Sequence, residues 1–120
     1  RESAHPFYLN YDKYPDGYCK FFIFGDSDEK IPSYLRIYNK VGMAYGFLID
    51  NAYIIDTKNK IEFFLTVSVY SNDNQTLNDD TYEYDELTLP FLAEFGEKIY
   101  NYELSRTRSV NPDLSRFISQ

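Results

Sequence analysis

The chain has 120 residues, 43% of them hydrophobic, which is enough for one domain with its own core and needs no disulfide or metal staple. Its formal net charge of −7 opposes phosphate binding, and no Lys/Arg stripe overrides it, so nucleic acid is excluded as a partner and an anionic membrane surface is disfavoured. The single cysteine, Cys19, forms no intrachain disulfide, it makes no zinc site with the distant His5, and no run approaches the roughly 18 apolar residues of a membrane span.

Aromatic residues reach 19%, carried by 13 Tyr and 10 Phe with no Trp. Tyrosine at this density suits half-wet sheet faces, interfaces or sugar-binding surfaces, where the ring packs and the hydroxyl stays solvated. The opening RESAHPFYLNYDKYPDG has neither an apolar signal-peptide core nor an initiator Met, so a processed or truncated piece is expected. Residues 1–17 read as irregular, with two prolines and Asp16-Gly17 and no period. The run YCKFFIFGD, Tyr18 to Asp26, fits a strand or a buried helical turn by length, and a short helix or turn is the reading taken. Cys19 within it reads as a buried small hydrophobe.

Three runs with strand chemistry follow. SYLRIYNK alternates, with Tyr34, Arg36 and Tyr38 on one face and Leu35 and Ile37 on the other. AYGFLIDNAYIID is long, aromatic and β-branched. KIEFFLTVSVYS places Ile61, Phe63, Leu65, Val67 and Val69 at period two. The short connections VGM and TKNK predict antiparallel hairpins, hence a three-stranded meander.

A polar acidic loop, NDNQTLNDDTYEYDE, comes next. It lacks the spacing and terminal Glu of a calcium-binding loop and reads as solvated. LTLPFLAEFGEKIYNYELSR is the clear helix, with Leu92, Phe95, Ile99 and Tyr102 on one stripe and Pro90 in the first turn. Asp85, Glu86 or Thr88 is positioned to cap its start, and Gly96 to let a strand approach closely. Residues 105–120 read as an irregular tail. The fold class is α+β: an antiparallel three-stranded meander with a long C-terminal helix packed on it, in one domain. The middle strands are apolar on both faces, with Phe64 beside Phe63 and Ile54 beside Ile55, so the sheet calls for a layer on each side while the chain offers one helix.

Lys40-Val41-Gly42 sits where the first strand meets the second. Taken alone, Lys40 is either a surface lysine before a glycine turn or a substrate-facing lysine on an edge strand. The order of blocks IYNKVG, YGFL, YEYD and LPFL, ending in the helix, resembles the C-terminal third of class A β-lactamase-related and penicillin-binding-type serine hydrolases of the Bacteroidetes type, over roughly residues 18–116. In that family a strand ending in Lys-Thr/Ser-Gly borders the active site, and Lys40-Val41-Gly42 is similar to it. The resemblance implies a partial β-lactamase or transpeptidase-like fold. It implies that Lys40 offers a charge to a substrate carboxylate, that Gly42 clears the strand for substrate, and that the Met43 N–H serves as an oxyanion donor. Val41 departs from the pattern, because it has no hydroxyl for the substrate carboxylate.

The family's Ser-x-x-Lys nucleophile is not matched. Ser27-Asp28-Glu29-Lys30 lies in a polar loop, and Tyr70-Ser71-Asn72 lies after the Lys-x-Gly strand, so both read as chance strings. The resemblance therefore implies a C-terminal fragment, inactive alone, of a periplasmic or secreted hydrolase acting on a small acyl substrate. The catalytic residues then lie in an N-terminal segment of the same parent, with no metal and no cofactor. The open edge of the third strand invites pairing with that segment or homodimerisation. The alternative is a self-contained, Tyr-rich, non-catalytic binding or assembly domain.

Overall fold

A computed structural model of the chain describes residues 14–118. His5 and most of the irregular lead-in lie outside the described residues. The order of elements is a single turn α1 (Phe21–Phe24), strands β1 (Leu35–Ala44), β2 (Phe47–Asp56) and β3 (Ile61–Tyr70), a π-helical turn (Tyr84–Thr88), the long helix α2 (Leu89–Ser105) and a last turn α3 (Ser115–Ile118). The three strands form one antiparallel sheet in the order β1-β2-β3, a meander as expected.

The first hairpin differs from expectation. Val41-Gly42-Met43 does not turn. β1 runs on to Ala44, and the turn is Tyr45-Gly46, both at positive φ (+54° and +85°), as a two-residue hairpin of primed type requires. Gly46 is what permits this, and its N–H is held by Tyr84 Oη at 2.8 Å. The second connection, Thr57–Lys60, is the expected one.

Strand alternation sorts the sheet into two faces. The inner face carries Leu35, Ile37, Leu48, Ala52, Ile54 and Ile61, all buried. It is covered by Phe21, Phe22 and Phe24 together with Leu89 and Leu92 of α2. Gly96 does admit a close neighbour, but the neighbour is not a strand: a Cβ there would stand 2.8 Å from Phe22 Cβ and from Ile23 N. The Phe21–Phe24 turn is thus wedged between sheet and helix. Its Ile23 sits at φ +72°, a strain of order 1–3 kcal/mol for a β-branched residue, tolerated where the surrounding packing fixes the turn.

The buried face of α2 is rotated from the expected stripe. Leu89, Leu92, Gly96 and Glu103 are buried, Phe95, Ile99 and Tyr100 are half-buried, and Tyr102 faces solvent. The helix turns toward the wedge that occupies its glycine, and this displaces Tyr102. None of Asp85, Glu86 or Thr88 caps the helix with its side chain. Pro90 stands in its first turn, and the Thr88 hydroxyl is bound to Glu83 O (3.3 Å) and Ser71 Oγ (2.7 Å). After Ser105 the tail reaches the outer face, where Phe117 lies against Tyr38 and Tyr53 at 6.1 and 6.2 Å between ring centres. The tail is irregular apart from α3.

Candidate functional site

β1 is an edge of the sheet, so alternate residues turn their backbone N–H and C=O away from β2. The Tyr34 carbonyl points inward to Thr57 N–H (2.9 Å), while the Leu35 N–H points outward to Pro32 O (2.9 Å). At period two the backbone groups of Val41 and Met43 share the outward direction. The Val41 carbonyl accepts a hydrogen bond from Lys40 Nζ at 2.8 Å. The four residues singled out in the sequence therefore divide. Lys40 and Gly42 carry their side positions on the outer face, Val41 packs inward against the core, and the Met43 N–H faces the edge. The space over Gly42 is already used, since a Cβ there would meet Ile49 Cγ2 at 2.9 Å.

The outer face is built of cross-strand rows fixed by the register: Arg36–Ile55–Glu62, Tyr38–Tyr53–Phe64, Lys40–Asn51–Thr66, Gly42–Ile49–Ser68 and Ala44–Phe47–Tyr70. Ile55 in the first row is buried. Beyond it the face opens: Phe64 is 77% exposed, Phe47 52% and Tyr70 49%. Tyr53 and Phe64 stack on each other at 4.6 Å and 17°, and Phe47 leans on Tyr70 at 4.6 Å. The Tyr53 and Phe64 rings therefore cover each other's flat sides instead of presenting them outward, as a flat sugar platform would need. The four rows from Tyr38 to Tyr70 hold no carboxylate, in a chain with 19 Asp and Glu. Lys40 is their one charge.

A polar cluster beneath β1 was not anticipated from the sequence. Lys20 Nζ donates to Asn39 Oδ1 (2.6 Å), and Asn39 Nδ2 donates to Cys19 O (2.7 Å) and to Asp50 Oδ1 (3.0 Å). Phe22 N–H donates to Asp50 Oδ2 (3.3 Å). Asp50 is fully buried, and that burial lifts its carboxyl above the ordinary range against the pull of Asn39, the Phe22 and Phe21 N–H groups and Lys20. Its position in the inner register, between Leu48 and Ala52, was the available signal. Asp56 is buried too. Burial works to raise its pKa, but the Tyr100 hydroxyl (2.6 Å), Asn59 Nδ2 and the N–H groups of Lys58 and Asn59 outweigh it and hold the carboxyl below its usual range. These groups pin the wedge and the helix to the sheet.

The remaining strings are structural. Ser27 Oγ accepts the Glu29 N–H in an exposed turn and opens no helix. Ser71 is buried on Thr88, and Asn72 Nδ2 closes the acidic loop onto Thr76 O (3.0 Å). In that loop Asn74 Nδ2 and the Thr81 N–H both donate to the Asp79 carboxylate, and the Thr76 N–H donates to Asn74 Oδ1. Cys19 is half-buried at φ +54°, less enclosed than expected, because Asp26 holds its N–H in a left-handed turn. A cavity of about 420 Å³ lies between Glu62 and Arg106–Pro112, and its two arginines share the one carboxylate of Glu103. Among the described residues no three His, Cys, Asp or Glu side chains gather as metal ligands, and no helix is long and apolar enough to cross a membrane. No protein-family model, curated protein or solved structure matches the chain.

Proposed function

We propose that the chain is a non-catalytic binding or assembly domain that works through the outer face of its sheet. The observation that carries this reading is the exposed block from Tyr38 to Tyr70: aromatic at both ends, free of carboxylates, and held on a rigid sheet by a fully formed inner core. Exposed apolar patches of this size on a soluble domain mark interaction sites. A random-peptide library selected on the folded domain should yield apolar or aromatic binders whose capture is lost in Phe64→Glu. Binders indifferent to that substitution would remove the reading.

A second reading is favoured by Lys40-Val41-Gly42 on an edge strand whose Val41 and Met43 backbone groups face outward. On it, the chain is the C-terminal part of a β-lactamase-like serine hydrolase, inactive by itself, and exported to the periplasm or secreted. An N-terminal segment of the same parent covers the open face and supplies the nucleophile for a small acyl substrate. The test is the parent reading frame and its product: a Ser-x-x-Lys sequence opening a helix upstream, and acylation by a fluorescent penicillin that weakens in Lys40→Ala. A parent without that sequence, or one that is never acylated, ends this reading.

A further inference from the structure

We infer that the cavity between Glu62 and the segment after α2 is a binding site for a small carboxylate, held by Arg106 and Arg108. The chain leaves the helix extended, with Arg106 at φ −69° and ψ 126°, so Arg108, two residues on, returns to the same side. Both guanidiniums reach Glu103 on the last turn of α2, and both reach the same oxygen. Oε2 accepts Arg106 Nε at 3.1 Å and Arg106 Nη2 at 2.9 Å, and it also accepts Arg108 Nη2. Among the described residues that oxygen is the single acceptor of both groups. The Arg108 side chain is 16% exposed, yet its Nε and Nη1 donors are not used by Glu103. Among the described residues, the sealed side-chain atoms without a partner are Asp16 Oδ2 and Asn72 Oδ1. The unused edge of Arg108 therefore faces open space, and Arg108 lines the cavity.

Charge decides the class of ligand. Two guanidiniums over one carboxylate leave one positive charge on this wall. On the opposite wall Glu62 accepts the Tyr53 hydroxyl, and Arg116 acts on that same hydroxyl, so the negative charge there has a cation beside it. A monoanion matches the surplus, whereas a phosphate dianion would exceed it in the presence of Glu62. A carboxylate also fits the unused edge of a guanidinium through two parallel N–H···O bonds. The other carboxylates of a chain of net charge −7 are screened over about 8 Å in physiological salt. Thr107, Ser109 and Asn111 line the same cavity, and their side chains make no hydrogen bond among the described residues. A hydroxyl on the ligand finds partners there. The volume, about 420 Å³, is that of a small-molecule site. Glu62 belongs to the row before Tyr38–Tyr53–Phe64, so the site lies outside the exposed aromatic block and is independent of what that block binds.

The experiment is an NMR titration of the isotope-labelled chain with sodium lactate, a carboxylate that carries a hydroxyl. It follows the Nε–H signals of Arg106 and Arg108 and the backbone N–H signals of residues 107–111. Sodium acetate, sodium phosphate and sodium chloride are run beside it at equal ionic strength. Lactate should give saturable shifts, acetate the same shifts at several-fold higher concentration, and chloride none. Val110→Glu puts a carboxylate on the cavity wall at a position 78% exposed, where no hydrogen bond is lost, and should weaken lactate at least about tenfold. Arg108→Gln should abolish saturation. It leaves the buried Glu103 with one partner, so if it does not fold, Val110→Glu decides alone. Shifts that chloride reproduces overturn the site, and so does lactate binding that is unchanged in folded Val110→Glu. Phosphate bound more tightly than either carboxylate overturns the assignment of the ligand.

Discussion

The two faces of this sheet are made from the same strands and treated in opposite ways. On the inner face the large apolar side chains are buried or packed against the core, except Met43 at the hairpin end, and even the two carboxylates, Asp50 and Asp56, are fully buried and hydrogen bonded. On the outer face the Phe117 tail reaches one end, and the rest turns rings to water. Adjacent residues of β3 show the contrast within one residue step: Phe63 packs against the core, whereas Phe64 is 77% exposed. The inner face carries the stability of the domain, and the outer face is free to be selected for contact.

The sharpest way to break that contrast is to truncate each face in turn. Ile54→Ala, at a fully buried inner position, should cost about 2–5 kcal/mol in urea unfolding through lost burial and a cavity. A loss under about 1 kcal/mol would mean that the core is not where the register places it. Next in size is Gly96→Ala. The added methyl meets Phe22 Cβ and Ile23 N at 2.8 Å, and both belong to a wedge with no room to move, so a loss of about 1–3 kcal/mol is expected. Helix propensity alone would give the opposite sign, since Ala is the better helix former.

Much of this was legible in the sequence, because it was written in short-range pattern. Period-two alternation gave the faces of β1 and β3, and the polar Thr57–Lys60 turn gave the second hairpin. What was not legible depended on long-range contact. Tyr45-Gly46 carries a turn because Gly46 accepts a positive φ and Tyr84 ties its N–H from far along the chain. The stripe of α2 was misplaced by about one position because the Phe21–Phe24 wedge, not the sheet, occupies Gly96. Asp50 reads as a flaw in a strand until Asn39, Lys20 and Phe22 converge on it. For the outer face the composition was the clue, and only the register showed that tyrosine and phenylalanine fall in rows.

The polar anchors of the inner face respond to pH in opposite directions. Asp56 has a carboxyl held below the ordinary 3.8, so its stabilisation is complete above that value and is lost as pH falls through the lower folded value. Tyr100→Phe removes one of the bonds that hold it down. The variant should lose about 1–2 kcal/mol at neutral pH and unfold in acid at a higher pH than the parent. An unchanged acid midpoint would show that Tyr100 does not act on Asp56. Asp50 has its carboxyl raised by burial, so its favourable contribution is complete below 3.8 and fades as pH rises through the higher folded value. The stability gap between the parent and Asp50→Asn should therefore narrow from acid toward neutral pH. A gap that widens instead would place the carboxylate in a wetter site than the inner face.

The smallest effect expected on stability is the most informative about function. Phe64→Ala removes a ring that leans on Tyr53 at 4.6 Å but is otherwise in water, so unfolding free energy should change by no more than about 0.5 kcal/mol. That value must be measured where the chain is monomeric, since linkage to a partner that binds only the folded state adds apparent stability as concentration rises. If the ring serves contact, Phe64→Ala keeps the parent's unfolding free energy within that margin and loses capture by the aromatic peptides selected on the folded domain. If instead Phe64→Ala costs as much as Ile54→Ala at every concentration, the outer face is a second core. The division of labour between the faces would then be wrong at its root. Phe63 and Phe64, neighbours in one strand, are the pair on which that division stands.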